Sequence, residues 1–248
     1  MNILHNKTIW IVGASSGIGE QLAIKLAQKG ARLILSARRE DKLQDIASRL
    51  HGSDHQILVC DVANYESVVT ATNKLDSVDS VIFMAALYNA PDTKKISIDT
   101  IRNIVEVNLM GAYNLLDLIV PKLEKQGHGQ IVLCGSVAGY CGFPHGQPYS
   151  STKAAISNLA ESLYTELQPK NIDVKLISPG FVKTALTQKN DFDMPMIIDA
   201  EKAAEHIVKG LTKKSFEIHF PKRFTLLLKI LRHMPYRLYF QISKRMLR

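Results

Sequence analysis

The stretch Thr8-Ile9-Trp10-Ile11-Val12-Gly13-Ala14-Ser15-Ser16-Gly17-Ile18-Gly19 decides how this chain folds. Its first five residues are apolar and mostly β-branched, as expected of a short strand buried on both faces. Leu22, Ala23, Leu26 and Ala27 then recur at helical spacing, and Gly30 closes the segment. Strand, glycine turn and helix is the setting that a phosphate-binding loop requires. Glycines let the backbone approach a pyrophosphate, and the helix start offers free N–H groups and the positive end of a dipole. The spacing is Gly-x-x-x-Gly-x-Gly rather than the commoner Gly-x-Gly-x-x-Gly. A plain glycine turn is the alternative reading. Three glycines and two serines in this context favour a dinucleotide site.

Downstream, Arg32–Ser36 reads as a second strand and runs straight into Ala37-Arg38-Arg39. A carboxylate at this point would accept from a ribose 2′-hydroxyl, whereas arginine suits a 2′-phosphate. No acid precedes Glu40, so NADP is the expected cofactor and NAD the less favoured one. Further strands are expected at residues 56–60, 78–84, 130–134, 172–177 and 216–220. Helices are expected at 40–50, from Asn64 to about Lys74, at 96–126, from Tyr149 onward and at 199–213. Asp61-Val62, Ala85, Ser136 and Pro179-Gly180 fall at strand ends, where open α/β sheets bind ligands. Such alternation over some 220 residues indicates an α/β fold, one doubly wound parallel sheet of about seven strands. The catalytic domain is expected to span 1–221, with 222–248 as an extension.

Tyr149 is the only one of eight tyrosines followed by a lysine four places on, Lys153. One helical turn puts both side chains on the same face. A phenol loses its proton near pH 10, and a neighbouring cation lowers that value, as proton transfer at neutral pH requires. The five residues alone are weak evidence, since the same spacing arises on solvated helices.

In order, Gly13…Gly17-x-Gly19, Asp61-Val62, Asn108, Ser136, Tyr149-x-x-x-Lys153, Pro179-Gly180 and Thr184 resemble the short-chain dehydrogenase/reductase family, from about Lys7 to Pro221. The resemblance implies a Rossmann-type fold and interconversion of a carbonyl and a secondary alcohol. It implies that Tyr149 is the general acid or base and that Lys153 lowers its pKa and holds the nicotinamide ribose. Ser136 would bond the substrate oxygen, and Asn108 would hold a water linking Lys153 to solvent. Ser15, Ser16, Ile18 and Arg38 would meet the cofactor's adenosine and phosphates, Asp61 and Val62 the adenine, and Val182 and Thr184 the nicotinamide end. It also suggests a homo-dimer or homo-tetramer through the long helices. Two positions depart from the family pattern. Phe83-Met84-Ala85-Ala86 stands where Asn-Asn-Ala-Gly is usual, and Val12 replaces a frequent threonine.

Composition narrows the partners. Three cysteines, Cys60, Cys134 and Cys141, have neither metal-ligand nor disulfide-framework spacing, which suggests a reducing, cytoplasmic setting and no metal. Residues 1–7 lack the apolar core of a signal peptide, and no uninterrupted apolar run of bilayer-spanning length is present. The net charge of +8 is local. Without the eight basic residues after Pro221, 23 basic side chains face 23 acidic ones, which argues against nucleic acid as a partner. That basic tail reads as a helix with Phe224, Leu227, Leu228 and Leu231 on one side, a break at Pro235, and a second short helix. Either it meets an anionic membrane surface, leaving the enzyme peripheral at the cytoplasmic face, or its apolar stripe packs on the body or a partner subunit. The substrate expected from the tail and from the apolar residues 194–198 is a small carbonyl or alcohol of apolar, lipid-like character. A non-catalytic regulatory or tethering protein on the same fold is the alternative.

Overall fold

The apolar run quoted above forms strand β1 (Thr8–Val12) of a computed structural model that describes residues 3–88 and 97–247. β1 pairs in parallel with β2 (Arg32–Ser36), Thr8 opposite Arg32 and Val12 opposite Ser36. On its other side it pairs with β4 (Ser80–Phe83). With β3 (Gln56–Ile57), β5 (Gly129–Cys134), β6 (Ile172–Pro179) and β9 (Glu217–Phe220), these make a seven-stranded parallel sheet in the order β3-β2-β1-β4-β5-β6-β9. The direction of winding reverses between β1 and β4, which opens a crevice at the C-terminal ends of those strands. β7 (Val182–Lys183) and β8 (Ile198–Asp199) form a separate two-stranded ladder beyond β6.

Alternation within each strand feeds two cores. Trp10 and Val12 face one layer with Val81, Phe83, Ile131 and Leu133. That layer is covered by helices α3 (Tyr65–Asn73), α5 (Gly111–Gln126) and α6 (Tyr149–Leu167). Ile9 and Ile11 face the other, closed by α1 (Gly17–Ala27), α2 (Glu40–Ser48) and α7 (Ala200–Leu211). A parallel sheet hidden on both faces explains the uninterrupted apolar strands.

Several boundaries differ from the sequence expectations. β3 has two ladder residues because it is an edge strand, although Leu58 N and Cys60 N still donate to Leu35 O and Ala37 O at 3.0 and 3.1 Å. β4 begins at Ser80 rather than residue 78, and α2 ends at Ser48. The expected helix over 96–126 starts outside the described residues. Its described part is α4 (Ile98–Val105), a π-helical turn Glu106–Met110 and α5. Ile98–Gln126 is long and apolar enough to cross a bilayer, but Leu115, Ile119 and Leu123 are buried in the core beneath it.

After β9 the chain forms α8 (Lys222–Arg232) and α9 (Tyr236–Ser243), with the break at Pro235 as expected. Phe224, Leu228, Leu231 and Tyr239 are buried against Val137 and Tyr140, so the packing expectation holds for part of the tail. Leu227 is a correction: it is 59% exposed. Thr225 takes the inward place instead, its hydroxyl engaging His219 Nδ1 at 2.6 Å and Pro221 O at 3.2 Å, and that anchorage sets the rotation of the helix.

A carboxylate clamps α8 to the sheet. Glu217 accepts from Tyr140 Oη at 2.5 Å and from the Lys229 ammonium. Burial works against its charge, but hydrogen bonds from Lys229 and Tyr140 prevail and hold the carboxyl below its ordinary value of 4.5. Because the folded-state pKa is depressed, Glu217 contributes its full stability above that ordinary value. The contribution drains as pH falls below it, through the lower folded value. Glu217→Gln is therefore expected to cost about 2 kcal/mol at neutral pH. Urea unfolding followed against pH should show that the gap from the parent narrows in acid; a constant gap would contradict the clamp.

Candidate active site

The glycine loop is anchored from beneath. The indole of Trp10 donates to Ser36 Oγ at 2.7 Å, and Ser36 O accepts from Gly13 N at 2.7 Å and Ala14 N at 3.1 Å. Gly13 has φ +99°, and a Cβ there would fall 2.5 Å from Ala85 N, so the loop lies directly on the end of β4. A Cβ on Gly19 would sit 2.2 Å from Gly13 O, which lets α1 start hard against the loop. One on Gly17 (φ +58°) would meet Thr184 Cγ2 at 3.1 Å. Loop and post-β6 segment thus converge across the crevice. Two backbone-to-backbone approaches and a third against the Thr184 methyl shape the loop, and the leading amides of α1 with the hydroxyls of Ser15 and Ser16 make a donor set that fits a dinucleotide pyrophosphate.

The second arginine of the pair after β2 reaches this loop. Arg39 Nη2 lies 3.3 Å from Ser15 Oγ and 3.4 Å from Ser15 O. A depression of about 300 Å3 beside it is lined by Ser15, Ser16, Arg39, Lys42 and Arg49. Arg49 is engaged by Glu20 and Asp45 at 2.9 and 3.1 Å, leaving Arg39 and Lys42 as the cations facing the hydroxyls. Arg38 is exposed and has no such contact; its neighbour Arg39, also exposed, is the one that reaches Ser15. Asp61 Oδ1 accepts from Ala63 N at 3.1 Å, and Val62 is buried against Gly111.

At the other end of the crevice, β5 delivers Ser136 at its tip, 8% exposed, with Oγ accepting from Ala138 N at 3.1 Å. Tyr149 opens α6, and its phenol lies near the Ser136 hydroxyl, which favours the ionised form. Burial pushes the phenol above its ordinary range, and the Ser136 hydroxyl only partly offsets this. Lys153 is buried, its Nζ donating to Cys134 O at 2.7 Å and lying 5.6 Å from the Tyr149 ring centroid. Burial pulls the Lys153 pKa down. The lysine thus shares Tyr149's surroundings as expected, but desolvation, not the cation, dominates the phenol here. A phenol held above its usual range is protonated at neutral pH and is a proton donor.

Asn108 lies in the π-helical turn and is fully buried. Its Oδ1 accepts from Leu87 N at 2.6 Å, while Nδ2 donates to Leu87 O at 2.9 Å and to Thr152 Oγ1 at 3.2 Å. The amide therefore braces the end of the β4 segment against the residue next to Lys153. The wider turn is what carries this side chain toward α6.

Tyr88, which sequence reasoning did not single out, stands edge-on to Tyr149 with ring centroids 5.1 Å apart, and its hydroxyl donates to Asn190 Oδ1 at 2.6 Å. It connects Tyr149 to the segment after β7. Pro179 ends β6, Gly180 N donates to Phe220 O at 2.8 Å, and Val182 is buried. Thr184 N is held by Thr187 Oγ1 at 3.0 Å, which sets the turn after β7 opposite Gly17.

Residues 7–194 match the family model described as short chain dehydrogenase. An uncharacterized oxidoreductase of Staphylococcus epidermidis is 32% identical over 216 residues, covering 86% of this chain and 94% of the relative. Another from Myxococcus xanthus is 28% identical over 246 residues, covering 97% of each chain. Among solved structures, a short-chain dehydrogenase from Sphingobium yanoikuyae in complex with NADPH superposes with a TM-score of 0.81 at 25% identity, covering 87% of this chain and 88% of that one. A short-chain dehydrogenase from Burkholderia cenocepacia in complex with NADP reaches 0.85 at 22% identity, covering 96% and 98%, and shares the fold.

Proposed function

The chain belongs to the short-chain dehydrogenase family of oxidoreductases, and from that premise we propose that it interconverts an apolar carbonyl and its secondary alcohol with NADP(H). The observation that carries the reading is Lys153, buried with its Nζ on Cys134 O and 5.6 Å from the Tyr149 ring centroid, at the end of the crevice where β5 delivers Ser136.

Gly13, Ser15, Ser16, Gly17, Ile18 and Gly19 would hold the pyrophosphate, with Arg39 and Lys42 toward a 2′-phosphate. Asp61, Val62 and Ala85 would flank the adenosine, while Pro179, Gly180, Val182 and Thr184 would meet the nicotinamide end. The bound nicotinamide supplies or accepts the hydride. Ser136 donates a hydrogen bond to the substrate oxygen and stabilises charge as it develops. Tyr149 Oη gives that oxygen its proton in reduction and recovers it in oxidation. Lys153 keeps positive charge near the phenol, and Asn108 fixes the helix that carries both. A water held beside Asn108, linking Lys153 to solvent, is part of the same proposal. So is a homo-dimer or homo-tetramer, supported by the exposure of Ile98, Met110 and Tyr113 on the α4–α5 segment. Three free cysteines support a reducing, cytoplasmic setting.

The test is turnover of a panel of apolar ketones with NADPH and with NADH. Oxidation of NADPH coupled to alcohol formation is expected, and no product with either cofactor would overturn the reading. The cofactor preference has its own readout. Arg39→Asp is expected to weaken NADPH binding by about 2 kcal/mol, roughly thirtyfold in KM, with little change for NADH. The same substitution at Arg38 should do much less. The reverse ranking would return the role to Arg38.

A further inference from the structure

The tail buries one side of α8 and leaves the other bare. Among the described residues, fifteen large apolar side chains are exposed, and seven of them lie between Leu226 and Ile242. Leu226, Leu227 and Ile230 stand 50–60% exposed on the outward face of α8. Tyr236, Leu238 and Phe240 continue the surface on α9, where the rings of Tyr236 and Phe240 stack at 5.6 Å. Such a concentration of apolar surface needs a partner.

The charge around it says which. No acidic residue follows Glu217, and Lys222, Arg223, Arg232, Arg237, Lys244 and Arg245 are all exposed. None of the six takes part in an ion pair among the described residues; Lys229, bound to Glu217, is the tail cation that does. Burying this surface against its own copy would bring like charges together without an acid to relieve them. An anionic lipid surface accepts both components at once, since head groups take the cations while leucine and aromatic side chains enter the interface.

The same segment is fixed to both walls of the crevice. Tyr239 Oη donates to Gly142 O at 2.5 Å, on the loop that leads to Tyr149. On the other wall Phe224 meets Phe181 with ring centroids 5.5 Å apart. Phe181 in turn meets Phe192 at 5.9 Å, two residues beyond the Asn190 that holds Tyr88. Phe192 is itself 50% exposed, so apolar surface runs from the tail to the segment that borders the catalytic tyrosine.

We propose that residues 222–245 dock the protein on an anionic bilayer, and that the crevice takes its carbonyl or alcohol substrate from that bilayer. The second half rests on the oxidoreductase reading above; the docking does not.

The experiment is cosedimentation of the full-length protein with vesicles of phosphatidylcholine alone or with added phosphatidylserine. Binding is expected to the anionic vesicles and to be released by high salt. Lys222→Gln with Arg223→Gln should weaken partitioning about fivefold for each cation removed. Leu226→Asp with Leu227→Asp and Ile230→Asp, all on the outward face, should weaken it tenfold or more, roughly, while NADPH binding is retained. Indifference of the full-length protein to anionic vesicles would overturn the docking. So would variants that bind as well as the parent, or a parent dimer that the apolar variant dissolves in the absence of lipid, which would make the face a contact between copies. The substrate half is read by comparing a long-chain ketone dissolved in the vesicles with a short water-soluble one. The docking variants should lose turnover of the first and keep that of the second; equal losses, or none, would overturn it. Docking without turnover of either ketone would leave the membrane foot standing and remove the oxidoreductase reading instead.

Discussion

Tyr149→Phe is expected to lower kcat for ketone reduction by about a thousandfold and to leave NADPH affinity nearly unchanged. The substitution removes one oxygen and keeps the ring that packs edge-on against Tyr88, so the fold has no reason to respond. It deletes the hydroxyl near Ser136 that, in the proposed function, gives the substrate oxygen its proton. Burial keeps the phenol protonated, so without bound cofactor its ionisation should lie above the ordinary tyrosine range near 10. Equal rates in parent and variant would remove Tyr149 from the chemistry.

Gly19→Ala is the second large effect. A Cβ at this position would lie 2.2 Å from Gly13 O, a backbone atom that cannot swing aside. Gly13 in turn is pinned by its bond to Ser36 O and by the approach to Ala85 N. The helix must therefore move off the loop, displacing the amides that would meet the pyrophosphate. We expect NADPH affinity to fall by about a hundredfold and stability by about 3 kcal/mol. Gly142→Ala, where nothing lies within 4 Å of the added carbon, is the matched control and should do neither. Fluorescence titration with NADPH and thermal unfolding of the two variants would decide it. Unchanged binding in Gly19→Ala would mean that the loop does not carry the cofactor.

What could be read from the sequence follows from the range of the interactions involved. Thr8 to Gly19 and the pair Tyr149 and Lys153 are local patterns, where periodicity and turn chemistry act within a few residues, and the structure places them as expected. Asn108 was legible as a polar residue in a long helix, but the π-helical turn that aims it at Leu87 and Thr152 depends on that turn's packing against α6. Tyr88 gave no signal, because it lies in an irregular segment 61 residues before its partner ring. Which of Arg38 and Arg39 faces Ser15 is set by the backbone entering α2, and adjacent residues point in different directions there. Leu227 followed the helical wheel outward once Thr225 found partners in His219 and Pro221. The shortness of β3 reflects its place at the sheet edge, which only the strand order reveals.

The central claim is hydride transfer to a carbonyl carbon at the Ser136–Tyr149 pair. It is tested most directly by incubating the protein with an apolar ketone and NADPH deuterated at the transferring position of the nicotinamide, then weighing the product. One deuterium is expected on the carbinol carbon of the alcohol, and none when Tyr149→Phe replaces the parent over the same period. Alcohol formed without deuterium, using NADPH deuterated on both faces, or formed equally by the variant, would contradict it.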